Sequence, residues 1–573
     1  MSWELRKRLR EVLGKEEGAM VFAPGSRRRL ALVYPNEYQV GMSNLGLQII
    51  YRIVNSRGDF ACERFFLPDK KTLAEYERTN TPLLSLENQI PLAEFPLIAF
   101  AVSFEMDYFN MLKILALGKV QALAAERGEG EPLIIMGGPC ATFNPEPLAD
   151  FVDACVIGEG EEIIGEILDR YEESLGLKKP EILLNLAQVK GLYVPAYYKP
   201  HYQNDGMLER FEVSSQVPRT IKKRYVKNIE KYPGTTTVKT EEAQFKDMFL
   251  IETARGCGRH CRFCMAGHCF LKPRSRSLED IAGAIKEAQE VYHAKRVGLV
   301  GAAVSDYEDI TEVCRLIKER GLAVSTASLR ADSLSQPLLD ALAASGQKTI
   351  TLAPEAASER LRRVINKNIT DAHLENAVQA AVATGINNVR LYIMIGLPTE
   401  TEADIAAIAG MAKKIKQQMS AAGSKGMLTL SINPFIPKPF TPFQWLPMAA
   451  EKEIEAKEKQ IKNLLKGEKG IKLIFESTKE AYVQAILARG DRRLGEILLR
   501  TVREGINFRK GLSQMGLDEN FYLYRLRPET EILPWHNLSM GFQEGYLYAE
   551  YLKSLQEQKT PPCAANCRRC GIC

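Results

Sequence analysis

Short apolar runs alternate with amphipathic segments along the first 190 residues. Apolar runs at 30–34, 97–102, 133–136 and 154–157 predict strands, and residues 45–54 repeat apolar positions with the helical period. Strands that alternate with helices in this way predict a mostly parallel sheet with helices on both faces. We therefore expect residues 1–190 to form a doubly wound α/β domain of the Rossmann type.

The alternation resumes at residue 246 and predicts six strand–helix units. The apolar runs that predict the strands lie at residues 248–253, 297–300, 322–326, 349–352, 389–395 and 428–432. Six such units make an open parallel barrel that is smaller than the closed eight-unit form. We expect a partial (β/α)6 barrel over residues 246–445, preceded by a strand-bearing linker over residues 191–245.

The remainder of the chain changes character. Residues 446–556 have mostly helical patterns, and their first part is rich in charged residues that favour helices. Residues 557–573, here called the Cys-rich tail, contain four cysteines within eleven positions. The predicted fold class is therefore α/β, with a mostly helical C-terminal region and a short tail that binds metal or a cluster.

Composition narrows the class of protein only a little. The chain has 573 residues, of which 45% are apolar, and a formal net charge of +5. This length predicts two to four domains, and so small a charge favours no particular kind of partner. No apolar run is long enough to cross a bilayer, so we expect no membrane contact. The 12 cysteines cluster in metal-like spacings, which favours a reducing cytoplasm over a disulfide framework.

Three of the cysteines form the most informative motif. Cys257, Cys261 and Cys264 have the spacing C-x3-C-x2-C directly after the first predicted barrel strand. Three thiolates can hold three irons of a 4Fe–4S cluster, and the fourth iron then stays open for a small chelating molecule. A zinc site is the alternative, with a fourth ligand from Cys269, His260 or His268.

With the aromatic Phe263 before its last cysteine, this motif resembles that of the radical S-adenosylmethionine (radical SAM) enzymes. The resemblance implies that Cys257, Cys261 and Cys264 hold the catalytic 4Fe–4S cluster. It implies that the open iron binds the amino and carboxylate groups of S-adenosylmethionine, whose reductive cleavage yields a 5′-deoxyadenosyl radical. A flavodoxin- or ferredoxin-type reductant is the partner that the resemblance implies.

The ends of the later barrel strands carry the S-adenosylmethionine contacts that the same resemblance implies. Ser328 and Arg330 would reach the ribose and the carboxylate, and Arg330 suits a carboxylate because its planar group donates two hydrogen bonds. Glu355 would contact the ribose or the ammonium group. Gly396 would belong to the edge that holds adenine, near Phe263. For each charged residue, an ion pair on the barrel rim is the alternative.

The first domain resembles the cobalamin-binding domain that precedes the barrel in many radical SAM enzymes. The matching parts are the loops Gly-Gly-Pro-x-Ala-Thr and Gly-Glu-Gly-Glu. The Asp-x-His-x-x-Gly loop of other cobalamin proteins is absent, and no histidine precedes His201. The alternative is a domain that only packs on the barrel or shapes the substrate site. The candidate cobalamin contacts lie in loops after predicted strands: Ser43, Ser103, Gly137, Gly138, Gly158 and Gly160.

The Cys-rich tail predicts a second metal centre. Cys563, Cys567, Cys570 and Cys573 have the spacing C-x3-C-x2-C-x2-C, and compact runs of this kind are more typical of iron–sulfur ligation than of zinc. A second 4Fe–4S cluster is the expectation, with zinc or a flexible redox tail as alternatives. Such a cluster could relay electrons, hold substrate or donate sulfur.

These features predict a radical SAM enzyme that transfers a methyl group from cobalamin to an unactivated carbon. Sulfur insertion or methylthiolation with a second cluster is one alternative. A cobalamin- or redox-responsive regulatory protein is another, although the intact cysteine motif argues against it. RNA, a peptide and a small molecule all stay open as the substrate.

Overall fold

A computed structural model describes residues 2–564 and 566–572. The chain divides into two compact units. The first contains the residues up to Asp247 together with Leu487–Glu519 and Thr530–Gly541. The second contains Met248–Ile486, Asn520–Glu529 and the residues from Phe542 onward.

The first unit is built on a six-stranded sheet. Its strand order is β2-β1-β3-β4-β5-β6, and all strands are parallel except β6. Because the chain leaves β1 for β2 on one side and later enters β3 on the other, the topological switch point lies between β1 and β3. The strands are β1 (Arg28–Tyr34), β2 (Phe60–Phe66), β3 (Leu97–Ala101), β4 (Leu133–Gly137), β5 (Ala154–Val156) and β6 (Leu192–Tyr193).

Helices between these strands bury one apolar face each, as the sequence pattern predicts. The helix Leu45–Asn55 begins at Asn44, whose side-chain oxygen accepts a hydrogen bond from the Leu47 N–H at 2.9 Å. Its apolar side then buries Leu47, Tyr51 and Val54 at helical spacing. The other helices before residue 190 are Trp3–Leu13, Tyr38–Gly41, Lys70–Thr79, Asp107–Leu117, Pro139–Phe143, Gly160–Glu173 and Lys179–Leu186.

The predicted linker contributes strands to the first unit. After β6, the strands β7 (Tyr198–Tyr202) and β8 (Leu208–Val213) form an antiparallel hairpin. The short strand β9 (Ile221–Lys222) follows, and the next residues run along the end of β5 through an isolated bridge between Arg224 and Gly158.

The second unit begins with the strand that precedes the three-cysteine motif. This strand, β10 (Met248–Glu252), is followed by the short antiparallel pair β11 (Ala254–Arg255) and β12 (Arg274–Ser275). β10 then pairs in parallel with β13 (Arg296–Val300), and β13 pairs with β14 (Ala323–Thr326).

A four-stranded parallel sheet continues this arrangement. It contains β15 (Thr349–Glu355), β16 (Asn388–Ile395), β17 (Leu428–Pro434) and β18 (Ile471–Phe475), in that order. A parallel bridge between Leu329 and Leu352 links it to the three-stranded sheet. The predicted α/β fold, with an open parallel barrel in the second half, is therefore confirmed.

One strand of this sheet was not predicted. β18 lies in the region expected to be helical and pairs with β17 along its whole length. Four of its five residues are apolar, but all five are half-buried or exposed, as expected for a strand at a sheet edge.

Helices cover the barrel sheets with the predicted residues. The helix Leu278–Glu290 buries Ile281, Ile285 and Ala288, and the helix Ile310–Glu319 buries Val313 and Ile317. These side chains join the buried strand residues in one apolar core. The other barrel helices are Gln336–Ala344, Glu359–Val364, Asp371–Ala383 and Glu402–Ala421.

The C-terminal region is mostly helical, as predicted. Apart from β18 it contains β19 (Leu538–Ser539), which pairs in parallel with β9. Within the described residues, no helix combines the length and apolar character needed to cross a membrane. The helices are Glu451–Leu464, Thr478–Arg489, Leu494–Glu504, Phe508–Gln514, Glu519–Leu523 and Tyr546–Leu555.

Candidate functional site

The loop that carries the three-cysteine motif lies at the carboxyl end of β10. The paired strands β11 and β12 close this loop, here called the cluster loop (residues 256–273). Gly256 opens it with φ +80°, and a Cβ there would lie 2.1 Å from the Phe270 carbonyl oxygen. Only glycine permits this turn, so the backbone that presents the cysteines depends on it.

The three thiols of the cluster loop lie close enough to influence one another. Cys261 is 7% exposed, and Cys257 and Cys264 are half-buried. Burial, and after it the charges of Cys261 and Cys257, raise the pKa of the Cys264 thiol to about 11. No three His, Cys, Asp or Glu side chains among the described residues converge on a point that could hold a single metal ion. Three soft thiol donors within eight positions have the chemistry of ligands to a 4Fe–4S cluster.

The two histidines of the cluster loop have partners other than the three cysteines. Burial lowers the pKa of both His260 and His268 to about 4, so both rings are neutral at physiological pH. The His268 Nδ1–H donates to the Cys264 carbonyl oxygen at 2.8 Å. His260 Nε2 lies 3.0 Å from the Cys563 Sγ, and its Nδ1 lies 3.4 Å from the Tyr546 hydroxyl.

Two buried cations accompany the thiols. Arg330 is 8% exposed and pairs with Asp332 at 2.9 Å. Burial raises the pKa of Cys257, and the positive charge of Arg330 opposes part of that rise. Lys367 is 7% exposed, and its Nζ lies 3.3 Å from Glu355 Oε1. Burial lowers the pKa of Lys367, but the charges of Glu355, Cys261 and Cys264 outweigh it, and the net pKa is raised. The structure thus brings the predicted Arg330 near the cluster thiols and places the predicted Glu355 beside Lys367, a cation near the thiols that the sequence did not predict.

Glu355 has an unusual backbone conformation. It ends β15 with φ +66°, where the pairing with β16 is irregular. A non-glycine residue in the left-handed region is strained, and such residues are frequent at functional sites. In this conformation the Glu355 carboxylate lies beside Lys367.

Phe263 and the Gly396 loop both contribute to one apolar cluster. Phe263 packs on an apolar cluster that includes Leu397 and Phe443. Gly396 has φ +79°, and its N–H donates to Glu400 Oε1 at 2.9 Å. Lys457 lies 2.8 Å from the same carboxylate oxygen and fixes the loop further. The predicted Ser328 is exposed after β14.

The Cys-rich tail lies against the cluster loop. The Cys563 N–H donates to the Gly258 carbonyl oxygen at 2.8 Å. A cavity of 580 Å³ has Cys257, Arg259 and Lys272 on one side and Cys563 on another. Cys567 is half-buried and Cys570 is buried, whereas Cys573 lies outside the described residues.

A separate polar group lies at the switch point of the first unit. The Tyr34 side chain hydrogen-bonds with Ser103 and Asn44, and Asn44 Nδ2 lies 3.3 Å from Ser103 Oγ. Nearby, Asn36 Nδ2 donates to Asp107 at 2.9 Å, and burial raises the pKa of Asp107 to about 6. Open parallel sheets bind ligands at such carboxyl-end switch points.

The predicted glycines of this edge differ in what they contact. Gly138 has φ +99°, and a Cβ there would lie 2.6 Å from the Val102 carbonyl oxygen. Gly158 has φ +112°, and a Cβ would lie 2.0 Å from the Arg224 carbonyl oxygen. Packing within the chain therefore accounts for both of these glycines.

The other predicted contacts of this edge are less constrained. At Gly137 a Cβ would meet nothing nearer than Val156 at 3.9 Å, so packing does not explain that glycine. A Cβ at Gly160 would meet Ile50 at 3.0 Å. The Ser43 hydroxyl donates to the Gln39 carbonyl oxygen at 2.8 Å.

Comparison with known families identifies both halves of the chain. Residues 46–195 match the family of radical SAM proteins, N-terminal, and residues 251–412 match the radical SAM superfamily. The second match contains the three cysteines, Arg330, Glu355, Lys367 and Gly396.

Two relatives and one solved structure extend the comparison. An uncharacterized protein of Methanocaldococcus jannaschii is 30% identical over 82% of this chain and 90% of its own length. An uncharacterized methyltransferase of Pyrococcus horikoshii is 26% identical over 49% of this chain and 58% of its own. The fold is similar to that of TsrM from Kitasatospora setae, a radical SAM methyltransferase whose structure was solved with cobalamin and a [4Fe-4S] cluster bound. The TM-score is 0.51 and the identity is 14%, over 84% of this chain and 100% of TsrM. The cluster loop at the carboxyl end of β10 and the match across both units together place this chain in the radical SAM superfamily, as an enzyme that cleaves S-adenosylmethionine.

Proposed function

We propose that the protein is a cobalamin-dependent radical SAM methyltransferase that methylates an unactivated carbon. The observation that carries the proposal is a second candidate site in the chain that has the cluster loop. At the carboxyl edge of the sheet in the first unit, Gly137 leaves unfilled space, and Asn44 and Ser103 offer hydrogen bonds. A bound cluster with S-adenosylmethionine would supply the deoxyadenosyl radical, and bound cobalamin would supply the methyl group.

Charge supports an assignment for the residues around the cluster. Cys257, Cys261 and Cys264 would hold the irons. Arg330 and Lys367 are the buried cations beside them, and each suits the carboxylate of S-adenosylmethionine. Glu355, which lies beside Lys367, suits the ammonium group.

Space supports an assignment for the sheet edge of the first unit. Gly137 leaves room that its neighbours do not fill, and Ser103 and Asn44 offer hydrogen bonds close to the switch point. Because the first histidine in the chain is His201, no histidine of the first 200 residues would lie below the cobalt. Two likenesses support the same proposal: the P. horikoshii relative is named a methyltransferase, and the similar TsrM structure holds cobalamin.

Cobalamin binding is the first test. The protein is purified without oxygen, incubated with excess cobalamin, separated from free ligand by gel filtration and assayed for cobalt. We expect about one cobalt per chain. A value near zero would contradict the proposal and make the first unit a scaffold.

Sulfur insertion or methylthiolation is a second candidate, because the Cys-rich tail lies on the cluster loop. A tRNA-2-methylthio-N(6)-dimethylallyladenosine synthase of Desulforamulus reducens is 24% identical over 43% of this chain and 53% of its own length. A tail centre that donates sulfur predicts that Cys567→Ser/Cys570→Ser still forms deoxyadenosine but no sulfur-containing product.

A further inference from the structure

Two buried side chains fasten the Cys-rich tail to the cluster loop. Arg262 donates to the Gln558 carbonyl oxygen at 2.7 Å and pairs with Glu550 at 3.3 Å. Asn366 donates to the carbonyl oxygens of His260 and Thr560, each at 3.0 Å, and accepts from the Thr560 N–H at 2.8 Å. Because both side chains are almost fully buried, these bonds are protected from water and hold the tail in one place.

His260 connects a tail cysteine with a cluster cysteine. Its neutral ring has one donor and one acceptor nitrogen. Accepting from the Tyr546 hydroxyl at Nδ1 leaves Nε2–H to donate to the Cys563 sulfur, 3.0 Å away. Since His260 directly precedes Cys261, one hydrogen bond, one ring and one peptide bond separate the two sulfurs.

The tail has exposed residues around its cysteines, although its cysteines are no more exposed than those of the cluster loop: Cys563 and Cys567 are half-buried, as are Cys257 and Cys264. Pro561, Pro562, Ala564 and Arg568 are exposed, whereas Cys261 is buried. A protein that donates electrons can approach the tail more closely than it can approach Cys261.

The tail cysteines have the chemistry of a second cluster. Cys563 is fixed by Gly258, and Cys570 is buried among Leu271 and Tyr546. The described tail thiols, like those of the cluster loop, do not converge on a single-ion site. Cys563, Cys567 and Cys570 repeat the C-x3-C-x2-C spacing of the cluster loop, and three thiols at this spacing can hold three irons of a 4Fe–4S cluster.

We propose that the tail holds a second 4Fe–4S cluster that passes electrons to the S-adenosylmethionine cluster through His260. A reduced flavin or iron–sulfur protein gives one electron to the tail cluster, which goes from the 2+ to the 1+ state. The tail cluster then returns to 2+ as the cluster on Cys257, Cys261 and Cys264 goes from 2+ to 1+. No covalent bond changes, and the proton stays on His260 Nε2. The inference rests on S-adenosylmethionine cleavage and not on methyl transfer.

Metal content is the first test. Iron, sulfide and zinc are measured in anaerobically reconstituted wild type, in Cys567→Ser/Cys570→Ser and in Cys314→Ala, which removes a buried helix thiol away from both cysteine sets. We expect about eight irons per chain in wild type and Cys314→Ala, and about four in the tail variant. About four irons in wild type, with or without one zinc, would overturn the proposal.

The second test compares two electron donors, with deoxyadenosine formation as the readout and no cobalamin or methyl acceptor present. One donor is titanium(III) citrate, and the other is reduced flavodoxin. We expect the ratio of the flavodoxin rate to the titanium rate to fall at least tenfold in Cys567→Ser/Cys570→Ser and in His260→Phe, which keeps the ring shape but removes the hydrogen bond.

His260→Phe keeps the test decisive if the tail variant misfolds. Eight irons with a lowered rate ratio in His260→Phe support the relay. An unchanged ratio would overturn it, and so would an equal loss with both donors, since that is the sign of structural damage. A failure of cobalamin binding leaves both measurements intact, so the two proposals fail separately.

Discussion

The two candidate ligand sites, the cluster loop of the second unit and the switch-point edge of the first unit, are built differently. One consists of side-chain donors, and the other depends mainly on space beside the backbone. In the cluster loop, three side chains within eight positions provide the donors. At the sheet edge, the candidate site is backbone space at Gly137 and polar groups from two separate loops. A site built from side chains can be recognised in the sequence as a motif. A site built from backbone space shows only as glycines, and close packing within the chain requires glycines as well.

Removing a cluster ligand gives the largest expected effect. Cys261→Ala should abolish S-adenosylmethionine cleavage, because the cluster loses one of three protein ligands. Cys269→Ala is the matched control, since this buried thiol belongs to the same loop but not to the motif. Iron content and deoxyadenosine formation are measured. Equal losses in both variants would show that the loop tolerates no change at all, and retained cobalamin response in an inactive Cys261→Ala would favour a regulatory role.

Gly158→Ala should strongly destabilise the first unit. The new Cβ would lie 2.0 Å from the Arg224 carbonyl oxygen, at a backbone φ of +112°. We expect a loss of about 2–4 kcal/mol in the free energy of unfolding, with or without cobalamin. Denaturant unfolding of the apoprotein measures it, and an effect seen only in the presence of cobalamin would contradict the packing explanation.

Lys367→Met should raise the KM for S-adenosylmethionine about tenfold, because a buried cation that suits the substrate carboxylate is lost. Lys367→Arg keeps the charge and should change KM less. If the Glu355–Lys367 pair is only structural, Lys367→Met will lower the melting temperature and leave KM unchanged.

Gly137→Val should weaken cobalamin binding about tenfold while leaving the melting temperature unchanged, because nothing but Val156 lies within 4 Å of a Cβ there. Gly137→Ala is the conservative control. Unaltered cobalt retention by Gly137→Val would remove the main structural support for a ligand at this edge.

The smallest expected effect concerns Asp107, whose pKa is raised to about 6 by burial. The folded state therefore holds a proton that the unfolded state releases near pH 4, and stability falls as the pH rises from 4 to 6. Asp107→Asn should stabilise the protein by about 1–2 kcal/mol at pH 7 and by almost nothing below pH 4. A gain of the same size at both pH values would rule out titration as the cause.

Much of the fold could be predicted because buried parallel strands are apolar along their whole length. β3 and β4 follow this rule. The edge strand β18 is also apolar at four of its five positions and was missed because it follows the strongly charged helix Glu451–Leu464. The cysteine motif could be predicted because its ligands lie within eight positions, at a spacing typical of 4Fe–4S clusters.

Other parts of the site could not be predicted, for identifiable reasons. Lys367 lies 103 positions after Cys264, and nothing local marks it as a partner of the cluster. Arg262 and Asn366 donate hydrogen bonds to backbone carbonyl oxygens. Because every residue has such an oxygen, the sequence does not show which residues are their partners. For Gly138 and Gly158, sequence reasoning expects a close approach but cannot tell a ligand from the chain's own backbone.

The hydrogen bond from Arg262 to Gln558 has a consequence for the order of folding. It joins positions 296 residues apart, and contacts of such long range are slow to form because the intervening chain must first be ordered. The barrel core can therefore fold before the Cys-rich tail docks on the cluster loop. In that intermediate the thiols meet oxygen and free metal more readily than in the finished protein, so the timing of cluster insertion relative to tail docking should decide how much active protein a cell obtains.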